Sequence, residues 1–360
     1  AQYDAAASLL AEQRWDEAAS ILEQFRTEYP EHPLQAEALR KLAYARAQGG
    51  REGDAAGLYV RLAGTHEKAA VRREALLQAA DLYQQAGAID DAIATLERYL
   101  ERYPQPVGEA LEVMQRLAVL ESAHGDDRRH RHWLQSIIRV QPYTAGEERS
   151  RELAARAHLG LADYRIAEVR ERPISEPLQR SLAARLEVMQ QAIDELEAAA
   201  GYGVVPVIAA ANYRIGSLYR DLGQALLASD RPGDLAPREL AQYELLLEEE
   251  AAPFDNKAIE FHEGNLSLQR SGYYDQWIAE SLLQLSELWP ARYARQEVFE
   301  VLVEGELGSA ADDPGYRRAM ALMQSGQYAE AAGLLRPLVD VDGAGSSVQL
   351  NWVIAMMHMG

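Results

Sequence analysis

The sequence predicts an all-α fold, an α-solenoid of antiparallel helix pairs stacked into a right-handed superhelix. Three observations carry that expectation. The first is a period: Ala18, Ala55 and Ala92 lie 37 residues apart, and so do Gln13, Gly50 and Gly87. The second is punctuation: the 25 glycines and 14 prolines sit at intervals rather than in one linker, between segments whose apolar residues recur at helical spacing. The third is size: 360 residues are too many for one ordinary core, yet 48% are hydrophobic, so the chain folds as several domains or as an array that grows without a centre.

Residues 1–142 read as four units, the fourth degenerate. Small residues are needed where the two helices of a pair cross closely, which places Ala43 against Ala55 and Ala80 against Ala92. Larger apolar residues fill the space around them: Leu39, Leu42, Tyr59 and Leu62 in one unit, Leu76, Tyr83, Leu96 and Tyr99 in the next. Gly50 and Gly87 end the first helix of a pair, where a residue without Cβ takes a left-handed turn. Tyr29-Pro30 and Tyr103-Pro104 end the second, because proline cannot continue a helix. Pro142 keeps the same beat, while Glu67 stands where another proline would fall. The fourth unit runs through Met114, Leu117, Ala118, Gly125, Leu134 and Ile137, but puts His130 at the position of the small residue.

These marks are similar to those of tetratricopeptide repeats, which pair two helices in about 34 residues. The segments RWDEAASILEQFRTEYPEHP and AIDDAIATLERYLERYPQP resemble repeats of bacterial envelope proteins, among them the lipoprotein of the outer-membrane barrel-assembly machine and the coordinator of the Tol–Pal system. The resemblance covers about residues 1–142. It implies a protein–protein interaction scaffold of the bacterial cell envelope, facing the periplasm or associated with the outer membrane.

Residues 143–311 remain helical but leave the pattern. Leu153 to Tyr164 has apolar residues three to four apart, Pro173 and Pro177 break the run, and a second helix spans Leu178 to Ala200. After the Gly201-Tyr202-Gly203 turn a first-helix pattern returns, with Gly216 as the close-contact residue and Gly223 as the terminator. Three further helices are expected over 237–290. The stretches ELAQYELLLEEEAAPFDNKAIEFHEGN and GYYDQWIAESLLQLSELWPARY resemble a segment of large, gliding-motility-like tetratricopeptide proteins linked to energised inner-membrane complexes. Residues 312–360 restore a clean unit through Ala319, Leu322, Gly326, Ala331, Leu335 and Leu338, and 347–360 begin another first helix, so the array is expected to continue past Gly360.

Composition narrows the function classes. A net charge of −20 repels phosphate backbones and argues against nucleic acid as the main partner. The absence of cysteine excludes disulfides, thiolate metal sites and cysteine nucleophiles. No run approaches the ~18 apolar residues of a membrane span. The chain opens at Ala1 without a signal peptide, which fits processing or trimming; the envelope resemblance leaves room for a lipid anchor upstream.

No residues pattern as a catalytic, cofactor or metal centre, and the expectation is a non-enzyme. His124, His130 and His132 near Asp126 and Asp127 are the densest ligand types, but His130 and His132 point different ways on a helix and the flanking arginines repel cations. Asp340, Asp342 and Gly345 match part of a calcium loop, whereas Ala344 and Asn351 fail its ligand positions. Glu147-Glu148 and Glu248-Glu249-Glu250 read as solvated faces. No phosphate-cradling glycine loop, HExxH or GxSxG is present.

The candidate partner-binding residues lie on the inner face of the first helices: Arg40, Lys41, Tyr44, Gln78, Asp81 and Gln85. They fail the basic-and-asparagine pattern that clamps a C-terminal carboxylate, because Glu37, Glu74 and Asp81 stand among them, and so imply a mixed groove for a peptide or helix. Arg40 can equally pair with Glu37 or Tyr44 on its own helix. Two alternatives stay open: a cytosolic adapter with the same physics, and an envelope glycan- or ligand-binding protein with a site in 237–295, drawn from Asn256, His262 and Asn265.

Overall fold

The computed structural model describes all residues except 145, 234, 295–309, 311, 342–344 and 359–360. Among the described residues it is helical throughout, with no strand. The chain divides into two compact units, Ala1–Tyr293 and Ala294–Gly360. The division falls inside the 143–311 span that the sequence groups as one region.

In the first unit the helices come as pairs. They are α1 (Gln2–Ala11) with α2 (Trp15–Glu28), α3 (Gln35–Gln48) with α4 (Glu52–Thr65), α5 (Ala69–Gln85) with α6 (Ile89–Arg102), and α7 (Val107–His124) with α8 (Asp127–Val140). A 3₁₀ turn at Gln141–Thr144 leads into α9 (Glu148–Arg170) with α10 (Leu178–Gly201), then α11 (Val205–Leu227) with α12 (Pro237–Arg270), then α13 (Gln276–Leu288) and a short α14 (Pro290–Tyr293). The architecture is the expected α-solenoid: each helix packs chiefly on the next in sequence, and first helices also meet across neighbouring pairs, α7 with α9 and α9 with α11.

The crossings use the alanines the spacing singles out. Ala43, Ala55, Ala80 and Ala92 are all 0% exposed, so the axes approach without side chains between them. Leu42, Leu62, Leu76 and Leu96 close the space around them.

The turns inside the pairs share one hydrogen-bond pattern. Gly50, Gly87 and Gly125 take φ of 73°, 73° and 84°. At the second of these, Ala88 N–H donates to Tyr83 C=O at 2.9 Å and Gly87 N–H to Gln84 C=O at 3.1 Å. Those two bonds define the Schellman close of a helix. The same pair of bonds recurs at Gly50 with Arg51 and at Gly125 with Asp126. It recurs at Gln13 too, where φ is 60° without the help of glycine. Tyr29 and Tyr103 cap α2 and α6, immediately before the prolines expected to end them.

The later pairs depart from expectation in two places. Gly223 does not terminate α11; it is buried inside the helix, where a Cβ would meet Asp255 Oδ1 at 3.2 Å and Phe254 Cβ at 3.6 Å. It is a close-contact residue, like Gly216. The three helices expected over 237–290 are one 34-residue helix, α12, followed by α13. Pro253 lies inside α12 on its exposed side, so the carbonyl it leaves unbonded faces solvent, while Leu247, Ala251 and Ala258 hold the helix against α11 on both sides of it. Burial outweighs the local break.

The second unit contains α15 (Pro314–Gln324), α16 (Tyr328–Val339) and α17 (Ser346–Met357). Its core repeats the alanine crossing, with Ala319 and Ala331 0% exposed, and Gly326 at φ 78° closes α15 as expected. The calcium-loop reading falls on residues 342–344, outside the described residues.

Candidate functional site: the face of the first helices

Along α5, α7, α9, α11 and α13, opposite charges one pair apart meet across neighbouring first helices. Arg73 bonds Glu109 at 3.2 Å, Asp81 bonds Arg116, and Arg149 bonds Glu112 at 2.7 Å. Farther on, Arg214 bonds Asp163 at 3.1 Å, and Arg220 bonds Glu287. The first three rungs follow from the period, since side chains 35 to 37 residues apart occupy equivalent positions on adjacent helices, whereas the last two span the longer helices at separations of 51 and 67.

Two steps lack a rung among the described residues, α1 to α3 and α3 to α5, and the second opens a cleft. Between α3 and α5 no ion pair forms among the described residues. Arg40 folds back on its own helix, its Nε donating to Glu37 Oε2 at 3.0 Å and Nη2 to Oε1 at 2.7 Å. A cleft of about 410 Å³ opens there instead, lined by α3, α4 and α5. Its floor is apolar, from Ala36, Leu62, Val71 and Ala75; its rim is polar, from Arg40, His66, Glu74 and Gln78. Tyr59 forms a wall, and burial pushes its phenol above the usual range. The Glu37 hydrogen bonds hold the Arg40 guanidinium charged, so the rim keeps one balanced pair and one carboxylate, Glu74, with no ion-pair partner among the described residues. An apolar floor under a sparse polar rim suits a side chain of a docked peptide.

The six expected residues divide. Arg40 and Gln78 come together in the cleft. Lys41 lies over the Tyr3 ring, 5.3 Å from its centroid, toward α1. Tyr44, 46% exposed, packs edge-on against Trp15 at 5.9 Å. Asp81 is taken up by Arg116, and exposed Gln85 lies in the last turn of α5 outside the cleft. Tyr59 and His66 are not among the six, because they come from α4, the second helix of the pair, and its C-cap. Tyr59 was legible only as a packing residue.

The histidine cluster disperses as its spacing implies. His130 Nδ1 donates to Tyr164 Oη at 2.7 Å, and that hydroxyl donates to Asp127 Oδ1 at 3.1 Å, which pins the junction of α8 and α9. Among the described residues no group of three His, Asp or Glu side chains could hold a metal.

The candidate ligand site in 237–295 does not assemble. His262 and Asn265 are each 0% exposed, inside the contact of α11, α12 and α13. His262 Nδ1 pairs with Ser281 Oγ at 3.1 Å, while Asn265 Nδ2 donates to Ala209 C=O and to Ser281 Oγ, both at 2.9 Å. Asn256 is exposed, away from both. Helical spacing explains the failure: positions 262 and 265 share the inward face of α12, and 256 does not.

The profile of the tetratricopeptide repeat family matches residues 1–32 and 74–106, which span α1 with α2 and most of α5 with α6. No curated protein matches the chain in sequence. Among solved structures, the chain is similar to a tetratricopeptide repeat protein from Parabacteroides merdae (15% identity over 79% of this chain and 96% of that one, TM-score 0.33). It is also similar to the C-terminal part of a repeat-containing protein from Cytophaga hutchinsonii (9%, 81% and 97%, TM-score 0.34). A third is YrrB, described as a TPR protein with an unusual peptide-binding site (15%, 70% and 100%, TM-score 0.32). The two profile matches thus lie on two of the chain's own helix pairs, which are tetratricopeptide-type repeats.

Proposed function

We propose that this protein is a non-catalytic scaffold that holds a peptide or helix of a partner protein in the cleft between α3 and α5, and that it works on the periplasmic side of a bacterial envelope. The cleft carries the first part. It is a step of the first-helix face without inter-pair ion pairs among the described residues, and it has an open apolar floor with the Glu74 carboxylate at its rim. The envelope setting rests on the resemblance of residues 1–142 to envelope repeats. No helix among the described residues is long and apolar enough to cross a membrane.

The test places a photo-crosslinking residue at Gln78, and a control at Gln135 on the exposed side of α8. In envelope extract the Gln78 probe captures a protein that the Gln135 probe does not, and Arg40→Glu lowers the yield about tenfold, as loss of a charge-assisted contact does. Equal capture at both positions, or a yield indifferent to Arg40→Glu, overturns the placement. Recovery of the full-length protein in the cytosolic fraction overturns the envelope setting and favours the cytosolic adapter.

A further inference from the structure

A second cavity on the first-helix face, of about 390 Å³, lies among α9, α11 and α13. Its lining includes three guanidinium groups, Arg170, Arg214 and Arg220, against the carboxylates of Asp221 and Glu287, in a chain whose net charge is −20. We propose that this cavity binds a carboxylate presented by an acidic peptide segment.

The argument rests on how each arginine is used. Arg220 is spent: it bridges from α11 to Gln284 and Glu287 on α13. Arg214 is half spent. Its Nε and Nη2 face the two oxygens of Asp163, each at 3.1 Å, and its guanidinium stacks over the Trp277 ring, 5.4 Å from the centroid. That leaves Nη1 sheltered from solvent with no acceptor. Ser217, one turn later on the same helix and in the same lining, also has a sheltered hydroxyl without a partner. Unbonded buried donors are costly, and two of them beside one cavity point to an acceptor delivered there. A guanidinium has two forked edges, and the one not taken by Asp163 matches the two oxygens of a carboxylate. Arg170, 65% exposed, touches Asp221 only at 3.8 Å and stands at the mouth with a free fork.

Charge selects the ligand class. Counting Asp163 behind Arg214, three positive groups face three negative ones. A singly charged carboxylate is tolerated there, whereas a phosphate dianion would sit against Asp221 and Glu287. The cavity is separate from the α3/α5 cleft, so each stands or falls alone.

The experiment is fluorescence anisotropy with a fluorescein-labelled, C-terminally amidated peptide bearing spaced glutamates, set against its glutamine counterpart. Tighter binding of the glutamate peptide is expected, weakened about tenfold by Arg214→Gln and several-fold by Arg170→Gln. Arg128→Gln, which removes an equal charge on α8, leaves it unchanged. Arg170→Gln alters only an exposed side chain, so its effect is read at unchanged thermal melting even if Arg214→Gln unfolds. A glutamine peptide with a free C-terminus tests the other source: its failure to bind assigns side-chain carboxylates, and tight binding by it alone moves the ligand to a chain terminus and overturns the acidic-segment reading. Equal binding of the two amidated peptides, insensitivity to Arg170→Gln, or displacement by inorganic phosphate at lower concentration than by acetate overturns the assignment.

Discussion

The first four helix pairs and the two that follow solve the same packing problem differently. In α1 to α8 the helices are 10 to 18 residues long, and the first three pairs cross alanine on alanine. In α9 to α12 they are 23 to 34 residues long, and a glycine on one helix receives a large side chain from another. Gly160 lies under Leu134, Gly216 under His262, and Gly223 beside Asp255 and Phe254. Alanine on alanine is symmetric and tolerant, so it can repeat. Glycine under a ring or a branched chain is a one-off fit, and its partner cannot be guessed from the glycine. The α12 helix also buries His262 and Asn265 against Ser281 of α13, all three at 0% exposure, whereas the buried polar groups of the short pairs, Thr95, Glu121 and Ser136, stand apart from one another.

That contrast breaks most sharply with pH. Burial, reinforced by the charge of Arg220, lowers the His262 pKa from 6.5 to about 4. A histidine with a depressed folded-state pKa stabilises the fold fully above 6.5, and the contribution is lost as pH falls from there toward about 4, because the unfolded chain takes up the proton first. The loss is on the order of 3 kcal/mol. Denaturant titrations at pH 7 and pH 4.5 are expected to show it in signals from α11 to α13, and His262→Gln to flatten the dependence. An unchanged slope in that variant would assign the acid sensitivity elsewhere.

Next in size is the glycine fit. A Cβ on Gly216 would fall 2.6 Å from His262 Nε2, and the 0% exposed ring has no room to withdraw. Gly216→Ala is expected to cost about 2 kcal/mol despite the better helix propensity of alanine. His262→Ala in the same chain should recover part of it. Additive losses in that double-mutant cycle would show that the two do not fit against each other.

The smallest effect has the opposite sign and belongs to the regular half. Gln13 holds φ 60° at the position where the next three pairs have glycine. Gln13→Gly should stabilise by about 0.5–1 kcal/mol, read as a rise in melting temperature, and Gly87→Gln should lose a similar amount. A destabilised Gln13→Gly would mean that the glutamine side chain contributes more than its backbone strain costs.

The same contrast decides what the sequence could reveal. The alanine crossings, the left-handed closes at Gly50 and Gly87, and the tyrosine–proline ends were legible because each is a local rule repeated at a fixed interval. Gly223 and the three helices expected over 237–290 misled because their meaning is tertiary: one is a contact surface, the other a single helix held through Pro253 by packing on α11. At the candidate site, Arg40 and Gln78 were legible from helical spacing alone. Lys41, Tyr44 and Asp81 satisfied the same spacing but are engaged by Tyr3, Trp15 and Arg116, which belong to neighbouring pairs. The α9/α11/α13 cavity left no trace, since Arg170, Arg214 and Ser217 meet only after two long helices have packed.

The rungs between first helices have a mechanical side. Arg73 with Glu109, Asp81 with Arg116 and Arg149 with Glu112 are 29–53% exposed, so each contributes at most about 1 kcal/mol and none holds the fold together. What they resist is rotation of one pair against the next, because a small twist separates the charges while leaving the alanine contacts nearly intact. Their attraction is screened over about 8 Å at physiological ionic strength and about 3 Å in molar salt. The array therefore behaves as a torsion spring whose stiffness is set by the surrounding electrolyte: taut in dilute medium, slack in brine.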